Sequence, residues 1–420
     1  MNIKKDVYLA WVFGVLLCPS LFAQTFTLDQ ALEQAVKNDF VLAKIASNFE
    51  TLKANAVASA QLPDPKATLA FQNFPVNDFN QTREGMTQIV TGISQRIPRG
   101  KTLKYRGKQA RFRAKSVEAE TYLRSATVRL NVRRLWFDLY YWSHAENTIS
   151  QGENLLQQII QATELQYGTG GSNVQDLMGA ELELSVLQDK KIDAQRKVDT
   201  LQAELFKWLG NELVQSKLDK TFPQLPPVQA YDAIEQLLTA HPQVQAVDAM
   251  IESEQQGVNI AKAQYKPGFD IGLSYGFRKG DLPNEHERPD FLTAKLTFDL
   301  PLFVNKRQDQ ELAASSYKVS AVQYQRDNIL RNLQAQLQGG YANWQRYDER
   351  VAHYDRIVIR RAKASFEASL EAYSEDRTNF ASLMRAQVVE LDTQLNYIKI
   401  KTDRAKAQAH LLYLQGDTHE

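Results

Sequence analysis

The chain has 420 residues, of which 43% are hydrophobic and 24% charged, with 50 Lys+Arg against 49 Asp+Glu. This composition can bury a large core and is too apolar for a disordered chain. The near-zero charge balance excludes a dedicated nucleic-acid or anionic-lipid binder, and the single cysteine, Cys18, excludes an intrachain disulfide, an iron–sulfur cluster and a cysteine-rich zinc site.

The chain opens on Lys4-Lys5, an apolar run over 7–17, and Ser20-Leu21-Phe22-Ala23. A basic start, a short apolar core and a small residue at the end predict a secretory signal peptide over 1–23, cleaved after Ala23. The run falls short of the roughly 20 residues that a membrane-spanning helix needs. Cys18 offers a second route, lipidation, but Leu17 stands where a lipobox wants a small residue. Cleavage after Ala23 leaves a mature chain without cysteine.

Beyond the leader the same features come twice, about 203 to 206 residues apart. Asn38-Asp39-Phe40 is echoed by Ala240-His241-Pro242, and Gln61-Leu62-Pro63 by Gln264-Tyr265-Lys266-Pro267. Each half then has two alternating segments closed by a proline, Pro98 or Pro301, followed by long helical stretches. Such spacing predicts an internal duplication. The first repeat covers 24–210, with a β-hairpin at about 66–97 and a helical hairpin at about 101–210. A linker over 211–230 leads to the second repeat, 231–416, with a β-hairpin at about 268–300 and a helical hairpin at about 303–416. Residues 417–420 form a tail.

The clearest strand is 269–277, where Phe269, Ile271, Leu273, Tyr275 and Phe277 alternate with Asp270, Gly272, Ser274 and Gly276. Its partner, 291–300, alternates in the same way, and 67–74 and 88–97 form a weaker pair. Period two over nine or ten residues is the signature of a transmembrane β-strand. Four strands cannot close a barrel, and open edges are not tolerated in hydrocarbon. Several chains must therefore pool their strands, and three chains give twelve.

The helical segments are long. From 103 to about 167 there is no proline and only two glycines, Gly107 and Gly152. The equivalent stretch, about 306–372, carries Leu330, Leu333, Leu337, Tyr341, Trp344, Tyr347, Val351, Tyr354 and Val358 at spacings of three and four, a coiled-coil-like seam. Each helix of this pair turns back after a short break, at Tyr167-Gly168-Thr169-Gly170 or Tyr373-Ser374-Glu375-Asp376.

With these features the chain resembles the TolC-like outer membrane efflux proteins of Gram-negative bacteria, over essentially 24–416. The opening Phe26-Thr27-Leu28-Asp29-Gln30-Ala31-Leu32 with Asn38-Asp39, and Tyr167-Gly168-Thr169-Gly170 followed by Asp176-Leu177 and Ala180, carry the likeness. Leu62-Pro63-Asp64-Pro65, Asn73-Phe74-Pro75-Val76 and Met86-Thr87-Gln88 through Ser94-Gln95-Arg96-Ile97-Pro98 are similar to its heavy-metal branch, which serves resistance–nodulation–division pumps. The resemblance implies a mostly α fold with a membrane β-barrel contribution. It implies a homotrimer with a 12-stranded β-barrel in outer membrane lipid, four strands per chain, continued by a long periplasmic α-helical barrel. It also implies a periplasmic membrane fusion (adaptor) protein and an inner-membrane pump as partners, and export, of heavy-metal cations in that branch, as the function. Drug or other small-molecule efflux, or type I secretion, on the same fold is the alternative. A periplasmic coiled-coil adaptor is the rival from another class, and it would not need the strand pair over 269–300.

Asp176, Glu371, Glu375 and Asp376, with Arg377 and Arg385, lie near the expected hairpin tips and are the gate candidates. Ser382 stands where the duplicated half would repeat Asp176, so an aspartate ring in that form is absent. No phosphate loop, nucleophile elbow, H-x-x-x-H or E-x-x-H spacing is present, and the six histidines are scattered. The expectation is no enzyme, no cofactor and no resident metal.

Overall fold

The computed structural model describes residues 26–168, 174–210, 221–375 and 377–416. The expected leader with Cys18, the first half of the linker and the tail lie outside the described residues.

Thr27 starts helix α1 (Leu28–Lys37): its hydroxyl accepts from the Gln30 backbone N–H, and the Gln30 side chain accepts from the Thr27 backbone N–H. This reciprocal arrangement satisfies two N–H groups that the first turn would leave bare. Asp39 caps α2 (Phe40–Ala58), accepting from the Leu42 N–H at 2.7 Å and pairing with Arg124 at 2.7 Å. Strands β1 (Lys66–Gln72) and β2 (Gln88–Ile97) follow, then α3 (Thr102–Gly168) and α4 (Val174–Leu209). The series is then repeated as α5 (Tyr231–Leu237), α6 (Pro242–Ala263), β3 (Phe269–Phe277), β4 (Phe291–Phe298), α7 (Gln308–His353), α8 (Ile359–Ser374) and α9 (Phe380–Leu414).

Two of the expected strands are shorter than their sequence pattern. Residues 67–74 were expected as one strand, but β1 ends at Gln72 because Asn73 takes a positive φ of 58°. The partner expected to reach 300 stops at Phe298, where the chain leaves the ladder ahead of Pro301. The long helix expected without interruption from about 306 begins at Gln308 and contains one π-helical turn, Tyr354–Val358. There Tyr354 stacks on Tyr397 of α9, ring centroids 6.4 Å apart, and the Tyr397 hydroxyl donates to Asp355. The widened turn presents both residues to the same neighbour.

The four strands form one antiparallel sheet in the order β1-β2-β3-β4. Helices α2, α3, α4 and α6 to α9 form one layer of four columns in the same order, with α1 packed on α3 and α4 and α5 packed on α7. α3 and the nearly continuous α7–α8 are single long columns. The other two are each made of two helices end to end. Asn38, ahead of α2, donates to the Leu209 carbonyl at the end of α4, at 3.2 Å. Pro242, opening α6, packs beside Gly416 beyond α9. Gly210 and Gly416 hold φ of +69° and +74°, a left-handed stop that glycine adopts without strain. Each strand thus stands on one column: β1 on α2/α4, β2 on α3, β3 on α6/α9, β4 on α7/α8.

Opposite charges bridge every seam between neighbouring columns. Arg124–Asp39 at 2.7 Å and Lys191–Glu153 at 2.9 Å join α2/α4 to α3. Arg113–Glu254 at 3.5 Å and Lys406–Asp138 at 2.6 Å join α3 to α6/α9. Arg326–Asp248 at 2.5 Å and Arg404–Asp348 at 2.6 Å join α6/α9 to α7/α8. Apolar packing does most of the work. One core gathers Leu32, Val132, Phe137, Leu205 and Leu209; another gathers Ile234, Leu333, Leu337 and Leu411. Leu333 and Leu337 of the expected seam are fully buried, with Tyr341 and Trp344 packed at the edge.

His241 is buried at the junction of α6 and α9, edge-on to Tyr413 at 5.2 Å, while its Nδ1 accepts from the Gln243 N–H at 3.3 Å. Burial pushes its pKa below the ordinary histidine value, partly opposed by the Tyr413 backbone. Burial, with Arg134 nearby, lowers His410 as well. A folded pKa below the unfolded one stabilises nothing at high pH. It costs stability as pH falls through about 6.5, where the unfolded chain takes up the proton first. The thermal unfolding midpoint in detergent should therefore fall as the pH is lowered from about 7.5 to about 5.5. His241→Asn, which keeps a capping acceptor, should reduce that loss; an unchanged pH dependence would remove His241 as a contributor.

Candidate functional site: the sheet faces and the helical tip

The register aligns all four strands so that the sheet has two unlike faces. Leu69 and Phe71 of β1 share a face with Ile89 and Ile93, with Ile271, Leu273 and Tyr275, and with Leu292 and Leu296. Among the described residues these apolar side chains are exposed or half-exposed, with no helix packed over this face. The opposite face carries Lys66, Thr68, Ser94, Arg96, Asp270, Ser274, Thr293 and Lys295. It is also small at its centre, where Gly92 faces Ser274 and Gly272 faces Ser94. A Cβ at Gly92 would come within 2.8 Å of the Ser274 Cβ, so that approach requires glycine. An uncovered apolar face over a polar one fits a strand layer between lipid and water. Among the described residues no helix is long and apolar enough to cross a membrane.

The loops at the far end of the sheet lean on each other. Arg288 donates to the Glu84 carbonyl at 3.1 Å, Arg278 donates to the Gly85 carbonyl, and the Arg278 guanidinium lies 4.2 Å from the Phe291 ring. The sequence read these segments only as polar loops; paired arginines beside Pro289 were the available signal.

At the other end of the columns, α3 and α4 meet α8 and α9 around Leu156, Ile160, Leu187, Phe366, Leu383 and Leu391. Tyr373 packs against this core, edge-on to Phe380 at 5.9 Å, and its hydroxyl lies 3.4 Å from the buried Thr163 Oγ1 of α3. The two helical hairpins are thereby fixed to each other at the tip. Sequence reading treated Tyr373 only as a marker of the break and passed over Thr163.

Of the gate candidates, Asp176 is half-buried in the first turn of α4, where the helix N-terminus favours a carboxylate. Ser382 holds the matching place in α9, its N–H taken by the Asn379 side chain at 3.0 Å. Glu371, Glu375, Arg377 and Arg385 are all exposed. The structure brings Glu375 and Arg377 together as an ion pair within the turn between α8 and α9, and the Arg377 N–H donates to the Ala372 carbonyl at 2.8 Å. Asp376 lies outside the described residues. Among the described residues no three His, Cys, Asp or Glu side chains come together as a metal-binding group.

Residues 233–417, most of the second repeat, match the family model described as outer membrane efflux protein. No curated protein matches the chain. Solved structures match along nearly its whole length. It is similar to CusC, with 14% identity over 94% of this chain and 93% of that one and a TM-score of 0.77. It is similar to the Campylobacter jejuni CmeC outer membrane channel, at 15% identity, 100% and 94% coverage and a TM-score of 0.78. The Neisseria gonorrhoeae MtrE outer membrane channel in its open state follows, at 12% identity, 93% and 88% coverage and a TM-score of 0.75. The fold is that of the TolC-like channels. The sequence match to the outer membrane efflux protein model is confined to 233–417, and the likeness over the whole length is one of fold.

The tip core generates a direct test. Leu187 is buried in this core, in one cluster with Leu391 and near Gly152, so Leu187→Ala should cost about 2–5 kcal/mol locally. Hydrogen exchange should then accelerate in the tip segments of α3 and α4 and stay unchanged in the β-sheet. Equal exchange in both regions of variant and parent would show that this core does not hold the tip.

Proposed function

We propose that the protein is a homotrimeric outer-membrane conduit through which an inner-membrane pump, joined by a periplasmic adaptor, expels small molecules or ions. The uncovered apolar sheet face with its two unpaired edges carries this reading. Three copies supply twelve strands, closed around the polar face as the lumen, and twelve helical columns beneath them. The periplasmic coiled-coil adaptor loses support, because such a protein has no use for a sheet whose apolar face is bare.

A heavy-metal cargo is the second reading. It rests on the Leu62-Pro63-Asp64-Pro65 and Asn73-Phe74-Pro75-Val76 stretches, whereas the fold is as close to CmeC and MtrE as to CusC. A pump of the resistance–nodulation–division type belongs to that same reading. The cargo is tested by deleting the protein from its host and measuring growth on copper, silver, zinc and a panel of drugs; sensitivity confined to the metals supports the metal reading, and sensitivity confined to drugs overturns it.

At the tip, three copies of Asp176, Glu371, Glu375 and Asp376 form an acidic constriction, with Arg377 and Arg385 as its counter-charges. Such a ring attracts cations, because field lines concentrate in a low-dielectric opening. Single-channel recording in planar bilayers should give lower cation preference for Glu375→Gln with Asp376→Asn, and a higher open probability for Arg377→Ala. Unchanged selectivity and leak in both would move the gate elsewhere. Native mass measurement in detergent should give three chains; a stable single chain would contradict the conduit itself.

A further inference from the structure

The polar face of the sheet carries its charge unevenly. The pairing sets Lys66 of β1 opposite Ser94 of β2, Ser94 opposite Gly272 of β3, and Gly272 opposite Lys295 of β4. One row across the sheet therefore has an exposed lysine at each edge, with only a serine and a glycine between them. The next row toward the loops is Thr68, Gly92, Ser274 and Thr293, and the one beyond it is Ala70, Val90, Gly276 and Phe291. Neither row is charged. On the helical side of the lysines, Arg96 stands opposite Asp270, which stands opposite Thr297. Asp299, just beyond β4, lies 3.3 Å from Arg99. The polar face of the four strands thus sets Lys66, Arg96 and Lys295 against the single acid Asp270. Among the described residues neither Lys66 nor Lys295 has an ion-pair partner, whereas every seam between the helical columns is bridged by opposite charges.

Two unpaired lysines on an open wet surface are ordinary, and confinement is what changes their effect. In a twelve-stranded barrel the backbone walls stand roughly 24 Å apart. A lysine stem spans roughly 6 Å of that from each wall. Threefold symmetry repeats each lysine at one height, so a solute on the axis is roughly 6 Å from three ammonium groups, inside the Debye length of about 8 Å. Lys66 and Lys295 are three strand spacings apart, which at a tilt of roughly 40° separates their two triads by about 9 Å along the axis. Low-dielectric walls concentrate such a field in the lumen. The acidic residues at the tip do not cancel it, because the length of α3 puts them about 100 Å away.

We propose that Lys66 and Lys295 make the barrel an anion-selective passage, which favours solutes carrying carboxylate, sulfonate or phosphate groups. This deepens the conduit reading and rests on the homotrimer proposed above, with the polar face as the lumen.

Planar-bilayer recording of the full-length protein tests it, with pyrenetetrasulfonate added on the loop side so that the probe reaches the barrel without passing the tip. The parent should be blocked at several-fold lower probe concentration than the variant Lys66→Gln with Lys295→Gln. The variant Lys66→Arg with Lys295→Arg, which keeps the charge, should be blocked like the parent. In a second measurement, Lys66→Cys and Lys295→Cys are made singly, so that the other lysine remains. Relative to a free thiol, each should react faster with an anionic methanethiosulfonate than with a cationic one. Conducting channels with equal block in parent and glutamine variant, or the reverse order of thiol reaction, would overturn the lysine passage and leave the conduit standing. No conductance from any sample, with a single-chain native mass, would overturn the conduit and the passage together.

Discussion

Every β-strand carries two rows of backbone donors and acceptors, and in hydrocarbon none can be left unpaired. Each exposed group costs several kcal/mol there. In this chain β2 and β3 are paired on both sides, but β1 and β4 are paired on one side only. The face they share with the inner strands is apolar and bare. The sheet is therefore unfinished in the environment its side chains select, and the rest of the architecture follows from how it is finished. Because each strand stands on one helical column, completing the sheet also completes the helical layer. The edge columns display the same incompleteness: Phe40 on α2 is 90% exposed, and Tyr317 and Tyr324, seven residues apart, lie bare on α7.

The helical layer reaches far because its columns are long. α3 alone has 67 residues, about 100 Å at 1.5 Å per residue. Length on this scale is useful only if the columns stay parallel, and two devices maintain that. Buried apolar clusters pack the columns against one another, and two ion pairs cross each seam. Exposed pairs are individually worth little, about 0–1 kcal/mol, so their effect is to fix register more than to supply stability. At the tip the Thr163–Tyr373 contact and the core around Leu187 and Leu383 join the two hairpins of one chain. A conduit that opens there must move whole copies, or bend above this core.

Strands and long helices were legible in the sequence because their periodicities run unbroken: period two in 269–277, and spacings of three and four from Leu330 to Trp344. The elements run α1-α2-β1-β2-α3-α4 and then α5-α6-β3-β4-α7-α8-α9 along the chain. The end-to-end stacking of α4 on α2 was not legible, because Asn38 meets Leu209 across 171 residues and no local pattern marks it. The π turn was hidden too, since Tyr397, which its residues Tyr354 and Asp355 contact, lies on another helix. Charge alone gave the tip residues no direction. Glu375 and Arg377 turn out to pair within one turn, a contact decided by the backbone path between α8 and α9.

The central claim is that the open four-stranded sheet is closed by other copies of the same chain. Imaging the protein in lipid nanodiscs by electron cryomicroscopy tests it most directly. The account predicts a threefold assembly in which β4 of each copy is hydrogen-bonded to β1 of the next, giving twelve strands with the Phe71, Ile93, Leu273 and Leu296 face toward lipid. A map with β1 or β4 unpaired at membrane depth, or with that face turned toward the lumen, would contradict it.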